Sequence, residues 1–213
     1  MINKISKTLA SRNIWHKIKN DFIVTKKSTV KIPKLNKDLA YLSGVIVGDG
    51  TILKIRRKKG GFHYKIKITS DSKNYLNTLN KIFEDNFNIN GYIEKDKRKV
   101  HTYYLTLQNA TIFWFFVLLG HEIGKKKGPI IPSYFLNNKI LLIHFLAGLV
   151  DTDGHISYNR IQLKQKSRIF LSNICLQLKK INMNPNYPKV NYTNQKPFYY
   201  IRFDNKLSLR TPQ

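Results

Sequence analysis

The stretch Leu42-Ser43-Gly44-Val45-Ile46-Val47-Gly48-Asp49-Gly50 returns later in the chain as Leu146-Ala147-Gly148-Leu149-Val150-Asp151-Thr152-Asp153-Gly154. Each copy is an apolar helical pattern that contains small residues and ends on Asp-Gly. Small residues let two helices approach closely, and a glycine readily adopts the backbone conformation that ends a helix. The sequence therefore predicts two adjacent helices, each of which places one carboxylate, Asp49 or Asp153, at its end.

The segments after these two helices also repeat, as hydrophobic periodicity shows. In the first copy the predicted elements are a helix over 39–48 with Asp38 as its N-cap, strands over 51–58 and 62–70, a helix over 71–87, strands over 91–96 and 100–107, and a helix over 112–119. In the second copy they are a helix over 140–150, strands over 156–158 and 161–165 with a turn at Asn159, a helix over 167–181, and strands over 187–192 and 197–203. Ser70 aligns with Gln165 at an offset of 95 residues (165 minus 70), and Tyr103 aligns with Tyr199 at an offset of 96 (199 minus 103). This order predicts a duplicated α+β unit.

Two segments stand outside the repeat. Near the N-terminus, Ser11 to Phe22 is predicted as a short helix, and the cationic segment Lys26 to Lys37 as an extended connector. Two roles remain open for this region: it packs beside the core, or it reaches along DNA. The predicted division is a basic N-terminal extension over 1–37, a first half over 38–121, a linker over 122–137 and a second half over 138–213.

The charge of the chain points to a polyanionic partner. Its 213 residues contain 38 Lys and Arg against 12 Asp and Glu, a formal net charge of +26. Such an imbalance attracts nucleic acid. Because 42% of the residues are hydrophobic, there is enough apolar material for a core, and the charge does not indicate disorder. A ribosomal or chromatin-like protein would share the charge but has no need of paired acidic helix ends.

Cysteine content and hydropathy indicate the cellular compartment of the protein. The single cysteine, Cys175, allows neither a disulfide within the chain nor a cysteine-based zinc cluster, and it is predicted to lie in the core. Residues Met1 to Lys4 do not begin an apolar signal-peptide run, and the longest apolar stretch, Ile112 to Leu119, is too short to cross a membrane. The sequence therefore predicts an intracellular protein without a membrane partner. Its expected location is the cytoplasm or, if an AT-rich organellar genome encodes it, that organelle.

The two opening stretches resemble the LAGLIDADG motif of homing endonucleases. The second copy differs from it by the conservative changes Val150 and Thr152, and the first has Val47 where the family often has an acid. The order of elements resembles the αββαββα half of that fold over residues 38–205. This resemblance implies two pseudo-symmetric halves whose two antiparallel sheets form a saddle over DNA. Since only residues 206–213 follow, the last helix of the second half is expected to be missing or shortened.

Two carboxylates held close together attract divalent cations, and clustered metal ions are a common means of cutting phosphodiesters. The resemblance implies that Asp49 and Asp153 hold Mg²⁺, with the main-chain carbonyls of Gly48 and Thr152 as further ligands. It also implies that a polar residue and a lysine near each acid orient water and balance charge. Residues Gln165 and Lys166 match this pattern in the second half, whereas Ser70 and Asp71 occupy it in the first. We therefore expect the two DNA strands to be cut at unequal rates.

Strands with alternating cations suit contact with a duplex groove. The first hairpin is predicted to place Leu53 and Ile55 on an apolar face and its cations on the other. The candidate DNA-binding residues are Lys54, Arg56, Lys65 and Lys67 in the first half, with Arg160, Gln162 and Lys164 in the second. Lysines suit phosphates, whereas Arg56, Arg160 and Gln162 have side chains that make paired hydrogen bonds to bases.

Three functions fit these features. The first is a monomeric, Mg²⁺-dependent, site-specific endonuclease that makes a double-strand break with short 3′ overhangs, as the resemblance implies. The second is an intron RNA maturase, which would use the same basic saddle without needing both acids. The third is a DNA-binding protein without activity, for which Asp71 and the short C-terminus are the indications.

Overall fold

The computed structural model describes residues 1–126, 128–157, 160–193 and 196–204, with the side chain of Asp204 excluded. The predicted turn at Asn159 and the segment in which the last helix was expected to be missing lie outside these residues. Within the described ranges, no helix combines the length and the apolar character that crossing a bilayer requires.

Seven helices and eleven strands make up the described part of the chain. In chain order they are α1 (Ile2–Ala10), β1 (His16–Lys19), β2 (Phe22–Thr25), β3 (Thr29–Lys31), α2 (Lys37–Gly48), β4 (Gly50–Arg56), β5 (Phe62–Ser70), α3 (Lys73–Phe87), β6 (Tyr92–Lys95), β7 (Tyr103–Leu107), α4 (Ala110–Leu119), α5 (Ser133–Leu136), α6 (Lys139–Asp153), β8 (Gly154–Ser157), β9 (Arg160–Gln165), α7 (Arg168–Lys180), β10 (Lys189–Thr193) and β11 (Lys196–Asp204). The predicted linker therefore contains one short helix, α5.

The register of the two four-stranded sheets confirms the pseudo-symmetric α+β fold. The first sheet has the order β4-β5-β7-β6, and the second has the equivalent order β8-β9-β11-β10. Ser70 pairs with Tyr103 in the first, and Gln165 pairs with Tyr199 in the second. These four residues are the ones that the sequence offsets align, so the duplication extends to individual strand pairs.

Helix caps repeat as well. The Ser72 hydroxyl accepts a hydrogen bond from Tyr75 N, and the Ser167 hydroxyl accepts one from Phe170 N at the start of the equivalent helix. Helix α2 begins earlier than predicted, because Asn36 is its N-cap and accepts a hydrogen bond from Leu39 N at 2.9 Å. The predicted N-cap Asp38 was wrong, and this acid lies in the first turn, where it complements the helix dipole.

Residues 1–35 form an N-terminal unit of one helix and a three-stranded antiparallel sheet, β1-β2-β3. The prediction of a helix over Ser11 to Phe22 was wrong. Asn13 and Asn20 have φ values of 54° and 53°, and these left-handed positions interrupt any helix there. The segment predicted as a connector after Lys26 includes strand β3.

Two hydrophobic clusters hold the molecule together. One fills the first half and includes buried side chains of the N-terminal unit, while the other fills the second half and takes in Ala40 and Val47 of α2. Helix α4 is buried on nearly all sides, with Phe113, Phe115 and Phe116 inaccessible to solvent. Cys175 is buried as predicted. The halves are therefore distinct bodies joined through α2 and α6.

Candidate functional site

Helices α2 and α6 pack with their backbones nearly touching, as the small residues of the motifs predicted. A Cβ atom added to Gly44 would lie 2.0 Å from the Phe145 carbonyl oxygen, and one added to Gly148 would lie 2.1 Å from that of Tyr41. These distances are far inside van der Waals contact, so the crossing leaves no room for a side chain. The Tyr41 hydroxyl also donates to Asp151 Oδ2 at 2.6 Å across the helix pair. The two helices are thereby fixed in one relative position.

The close packing brings the two helix ends together. Asp49 is the C-cap of α2, and Asp153 is the last residue of α6. A Cβ atom added to Gly48 would meet Thr152 Oγ1 at 1.9 Å and Asp153 Oδ2 at 3.0 Å, so the second carboxylate lies against the backbone beside the first. Last-turn carbonyls such as those of Gly48 and Thr152 lack partners within a helix, and both helix ends carry negative dipole charge. The arrangement attracts cations.

Both acids line one open cleft between the two four-stranded sheets. The first sheet contributes Thr51, Leu53 and Thr69 to this cleft, and the second contributes Lys164 and Phe198. The same face of each sheet thus looks into the cleft, and we call these two faces together the saddle. Both carboxylates therefore lie in the cleft between the two sheets, at the helix ends.

Burial and mutual repulsion make the acids hard to ionise. Burial raises the pKa of Asp49; the charge of Lys126 opposes this rise and that of Asp71 adds to it. Burial, together with the charge of Asp49, raises the pKa of Asp153 to about 6, against the opposing effects of Lys126 and Gln165. Two like charges in one half-buried site favour protonation unless a cation balances them. The two carboxylates therefore attract a cation, whose charge lowers their pKa values.

Lys126 supplies one such charge from the segment that was predicted as a linker. Its ammonium donates hydrogen bonds to the carbonyl oxygens of Val47 and, at 2.6 Å, Gly48. Burial lowers the pKa of Lys126 to about 8, although the charges of Asp153 and Asp49 oppose the shift. The lysine therefore occupies part of the space in which a metal ion would meet the Gly48 carbonyl.

The surroundings of the two acids differ, as the sequence indicated. Gln165 Nε2 donates to Asp153 Oδ2 at 2.5 Å, and Lys166 lines the cleft nearby. In the first half, the Ser70 hydroxyl accepts a hydrogen bond from Ser72 N and so serves the turn before α3. The charge of Asp71 acts on Asp49 with the opposite sign from that of a lysine. The two acids are equivalent in the fold but unequal in their support.

The prediction of one cationic face on the first hairpin was wrong for β4. Because directly paired residues share a face, Lys54 and Arg56 lie on the face of the buried Tyr64. Lys65 and Lys67 lie on the opposite face, in the saddle. The predicted apolar pair was also wrong: Leu53 and Ile55 face the saddle, and the buried apolar residue of β4 is Ile52.

In the second half, strand β9 of the β8–β9 hairpin places the predicted DNA-binding residues together. Arg160, Gln162 and Lys164 alternate along β9 with the buried Ile161 and Leu163, so the three share the saddle face. Directly across the sheet from Gln162 lies Arg202, whose Nε donates to Gln162 Oε1 at 2.8 Å.

Sequence reasoning missed Arg202 and Lys126. Arg202 could have been found from the repeat, because its strand aligns with Tyr103–Leu107 and Arg202 occupies the position of Thr106. Lys126 had none, because its contact with Gly48 spans 78 residues and follows no local pattern. Lys196, which also lines the cleft, was missed as well.

Comparison with known families identifies this fold and motif pair. The model of the LAGLIDADG-like domain matches residues 36–119 and 141–211, which is more than half of the chain. The protein belongs to the LAGLIDADG family. The N-terminal unit lies outside the match.

Individual relatives are distant. Homing endonuclease I-DmoI of Desulfurococcus mucosus is 25% identical over 136 residues, which cover 62% of this chain and 64% of I-DmoI. A Methanocaldococcus jannaschii protein named glutamine–fructose-6-phosphate aminotransferase is 26% identical over 167 residues, which cover 76% of this chain but only 14% of that protein. The chain thus spans less than two thirds of either relative. A crystal structure of I-DmoI with DNA and calcium is similar in fold, with a TM-score of 0.62, 20% identity and coverage of 80% of this chain and 84% of that one.

Proposed function

We propose that this protein is a site-specific DNA endonuclease of the homing type that cuts both strands of a long target and leaves short 3′ overhangs. One observation carries the proposal: Asp49 and Asp153, placed by repeat-related helix ends, line the same cleft, which lysines also line. One chain supplies both acids, so we propose that it acts as a monomer. The relative I-DmoI is named a homing endonuclease, and its structures with target DNA support the same class of partner.

The residues of the site suit a divalent metal ion, which we propose to be Mg²⁺. The fit rests on two carboxylates, one of which raises the pKa of the other, and on the Gly48 carbonyl, which already accepts a hydrogen bond from a lysine ammonium; both features support a cation at this place. No group of three or more His, Cys, Asp or Glu within the described ranges is arranged to hold a metal. Magnesium typically uses one or two carboxylates and completes its shell with water and phosphate oxygens. I-DmoI has been crystallised with DNA and calcium or manganese, and a single-substitution variant of it with its target DNA in the presence of magnesium.

In this proposal Asp49 and Asp153 hold the metal, together with the carbonyls of Gly48 and Thr152. When bound, Mg²⁺ supplies an activated water and stabilises the charge on the departing 3′ oxygen. Gln165 fixes the orientation of the Asp153 carboxylate, and Lys166 offers a positive charge at the cleft wall for the phosphate. Ser70 takes the corresponding place on the first side.

The saddle would hold the duplex through contacts to phosphates and contacts to bases. Lys65, Lys67 and Lys164 are suited to phosphates, and they contribute salt-dependent affinity. Arg160 and the linked pair Gln162–Arg202 present planar groups in the saddle, which suits them to bases. Lys54 and Arg56 lie near the outer end of β4 on the other face, so we assign them a smaller share of DNA binding than the sequence suggested.

Lys126→Met is expected to make the protein more responsive to metal. Without the ammonium, the two carboxylates lose a nearby cation, so a metal ion that binds them stabilises the variant more than the wild type. Mg²⁺ should then raise the melting temperature of the variant more than that of the wild type, because the ion no longer competes with the lysine for the Gly48 carbonyl. Thermal unfolding in chelator and in Mg²⁺ measures this difference.

The exposed neighbour Lys125 provides the matched control, since Lys125→Met makes the same change in charge without a carbonyl contact. Equal responses to Mg²⁺ in the wild type and both variants would contradict the role given to Lys126.

The unequal support of the two acids predicts a nicked intermediate. In a time course of plasmid cleavage, we expect nicked circles to accumulate before linear product, since only Asp153 has a glutamine bonded to it. Gln165→Ala should slow the strand served by Asp153 by about tenfold, the size expected for a lost positioning contact. The double change Ser70→Gln and Asp71→Lys should reduce the accumulation of nicked circles.

Strand-specific end labelling assigns each cut and also reports the overhang. Linear product that appears without a nicked intermediate, in the wild type as in the variants, would show that the asymmetry has no effect on cleavage.

A further inference from the structure

The N-terminal unit is a fixed part of the first half. Ile5, Leu9, Ile23 and Val30 are completely buried in the same hydrophobic cluster as α4. The Arg12 guanidinium also stacks on Trp114, 4.0 Å from the ring centroid. Burial of this extent holds a segment in place against thermal motion. The unit therefore presents its surface in a constant orientation relative to the saddle.

That surface is strongly cationic. The unit contains nine Lys and Arg residues and a single acid, Asp21. The nine are Lys4, Lys7, Arg12, Lys17, Lys19, Lys26, Lys27, Lys31 and Lys34. In the described part of the chain, none of them forms a salt bridge, since the ion pairs found there involve Lys81 and Arg98. All of them except the half-buried Lys31 are exposed, and cations at this density suit a polyanion.

The turn between β2 and β3 brings two of these cations to the edge of the saddle. Main-chain and side-chain hydrogen bonds between Thr25 and Ser28 hold the turn closed, with Lys26 and Lys27 exposed at its tip. The Ser28 hydroxyl accepts a hydrogen bond from Asn109 Nδ2 at 2.9 Å, which anchors the turn beside the end of β7.

His63 links this turn to the saddle face. It lies on β5 on the same face as Lys65 and Lys67, and its Nδ1 is 3.0 Å from Gln108 Nε2. Burial together with the charges of Arg57, Lys65 and Lys27 lowers the pKa of His63, so the charge of the turn reaches this face. The turn thus continues the cationic saddle at its outer end.

The distance along β5 locates the turn on a bound duplex. His63 precedes Ser70, the strand end near the acids, by seven residues (70 minus 63). At roughly 3.3 Å per residue this is about 23 Å, or about seven base pairs if the strand follows the duplex axis. The turn therefore lies near the outer limit of the first half's contact with DNA.

We propose that the β2–β3 turn, through Lys26 and Lys27, contacts the phosphate backbone of DNA beyond the saddle on the side of the first half. This proposal rests on the proposed function, because it requires a duplex in the saddle. Flexible lysines at a turn bind phosphates without reading bases, so the contact adds affinity and leaves the recognised sequence unchanged. In the described ranges of the second half there is no such three-stranded unit, so the protected DNA should extend further on one side of the cleavage site than on the other.

The test compares Lys26→Gln/Lys27→Gln with Lys17→Gln/Lys19→Gln, which makes the same change in charge on the exposed strand β1 of the same unit. Hydroxyl-radical footprinting and salt titration on a duplex with long flanks are the measurements. The wild type should give an asymmetric footprint. The turn variant should lose the extension on the longer side, bind about tenfold more weakly at low salt, and show a slope against log salt smaller by about two. The β1 variant should keep the footprint, and both variants should melt like the wild type.

A symmetric wild-type footprint would overturn the proposal. An equal loss of affinity in the two variants would also overturn it, because affinity would then depend on the total charge of the N-terminal unit and not on the turn. Loss of binding to intron RNA with an unchanged DNA footprint would also overturn it and assign the turn to RNA. If the wild type neither binds nor cuts the target, the proposed function has failed. Normal cleavage with an unaltered footprint in the turn variant rejects only this contact.

Discussion

Replacing Gly148 with alanine is expected to lower the unfolding free energy by about 3 kcal/mol or more, the upper range for overpacking a buried site. The added methyl group would lie 2.1 Å from the Tyr41 carbonyl oxygen, and the obstacle is backbone, which has no rotamer into which to move. The two helices would have to move apart, and the contacts that hold Asp49 beside Asp153 would be lost. Urea or thermal unfolding measures the loss.

Gly128 offers a matched control, because a Cβ atom there would meet nothing within 4 Å. Gly128→Ala should change the unfolding free energy by no more than about 0.5 kcal/mol. If Gly148→Ala melted within a few degrees of Gly128→Ala, the close approach of the two helices would be refuted.

Asp49→Asn and Asp153→Asn are each expected to reduce double-strand cleavage by about a thousandfold or more, because an amide cannot replace the charge that holds a metal ion. Binding to DNA should persist, since most of its affinity comes from cations in the saddle. It should become slightly tighter in chelator, where each change removes a negative charge facing phosphates. Cleavage assays and binding titrations on one duplex separate the two effects.

The same Asp153→Asn change should stabilise the metal-free protein. The folded-state pKa of Asp153 is raised from 3.8 to about 6, so ionisation opposes folding as the pH rises through this interval. The penalty is absent below the lower value and complete above the higher one, with an upper limit of about 3 kcal/mol. The melting temperature of the variant minus that of the wild type should therefore increase from pH 4 to pH 7.

The exposed Asp85, paired with Lys81, gives the control Asp85→Asn, for which we expect full cleavage and no such trend. Linear product formed at wild-type rates by both Asp49→Asn and Asp153→Asn would rule out their role as metal ligands.

The repeat made most of the fold predictable. Strand periodicity and two copies of a helix motif gave the order of elements in both halves, and the aligned pairs Ser70–Tyr103 and Gln165–Tyr199 appear in the sheets. Packing of Gly44 and Gly148 followed from residue size alone. These features depend on local patterns, which a single sequence displays.

Features that depend on distant contacts were not predictable. Alternation shows that β4 has two faces but not which is buried, and the pairing of Gly50 with Ile68 decides the question in favour of Ile52. The predicted helix from Ser11 failed because two asparagines adopt left-handed backbone angles and the segment pairs as strands. Lys126 and Gly48 are 78 residues apart in the chain, so no local pattern of the sequence reports their contact.

We propose that this chain cuts DNA with its two motif acids and a divalent metal. The most direct test incubates the wild-type protein with a plasmid that carries the uninterrupted allele of its host locus, in Mg²⁺ and in chelator, and measures binding to the corresponding intron RNA in parallel. We expect linear plasmid with a cut at one position in Mg²⁺ and none in chelator. Tight binding to the RNA in both buffers, with the plasmid left intact, would contradict the endonuclease and favour an RNA maturase.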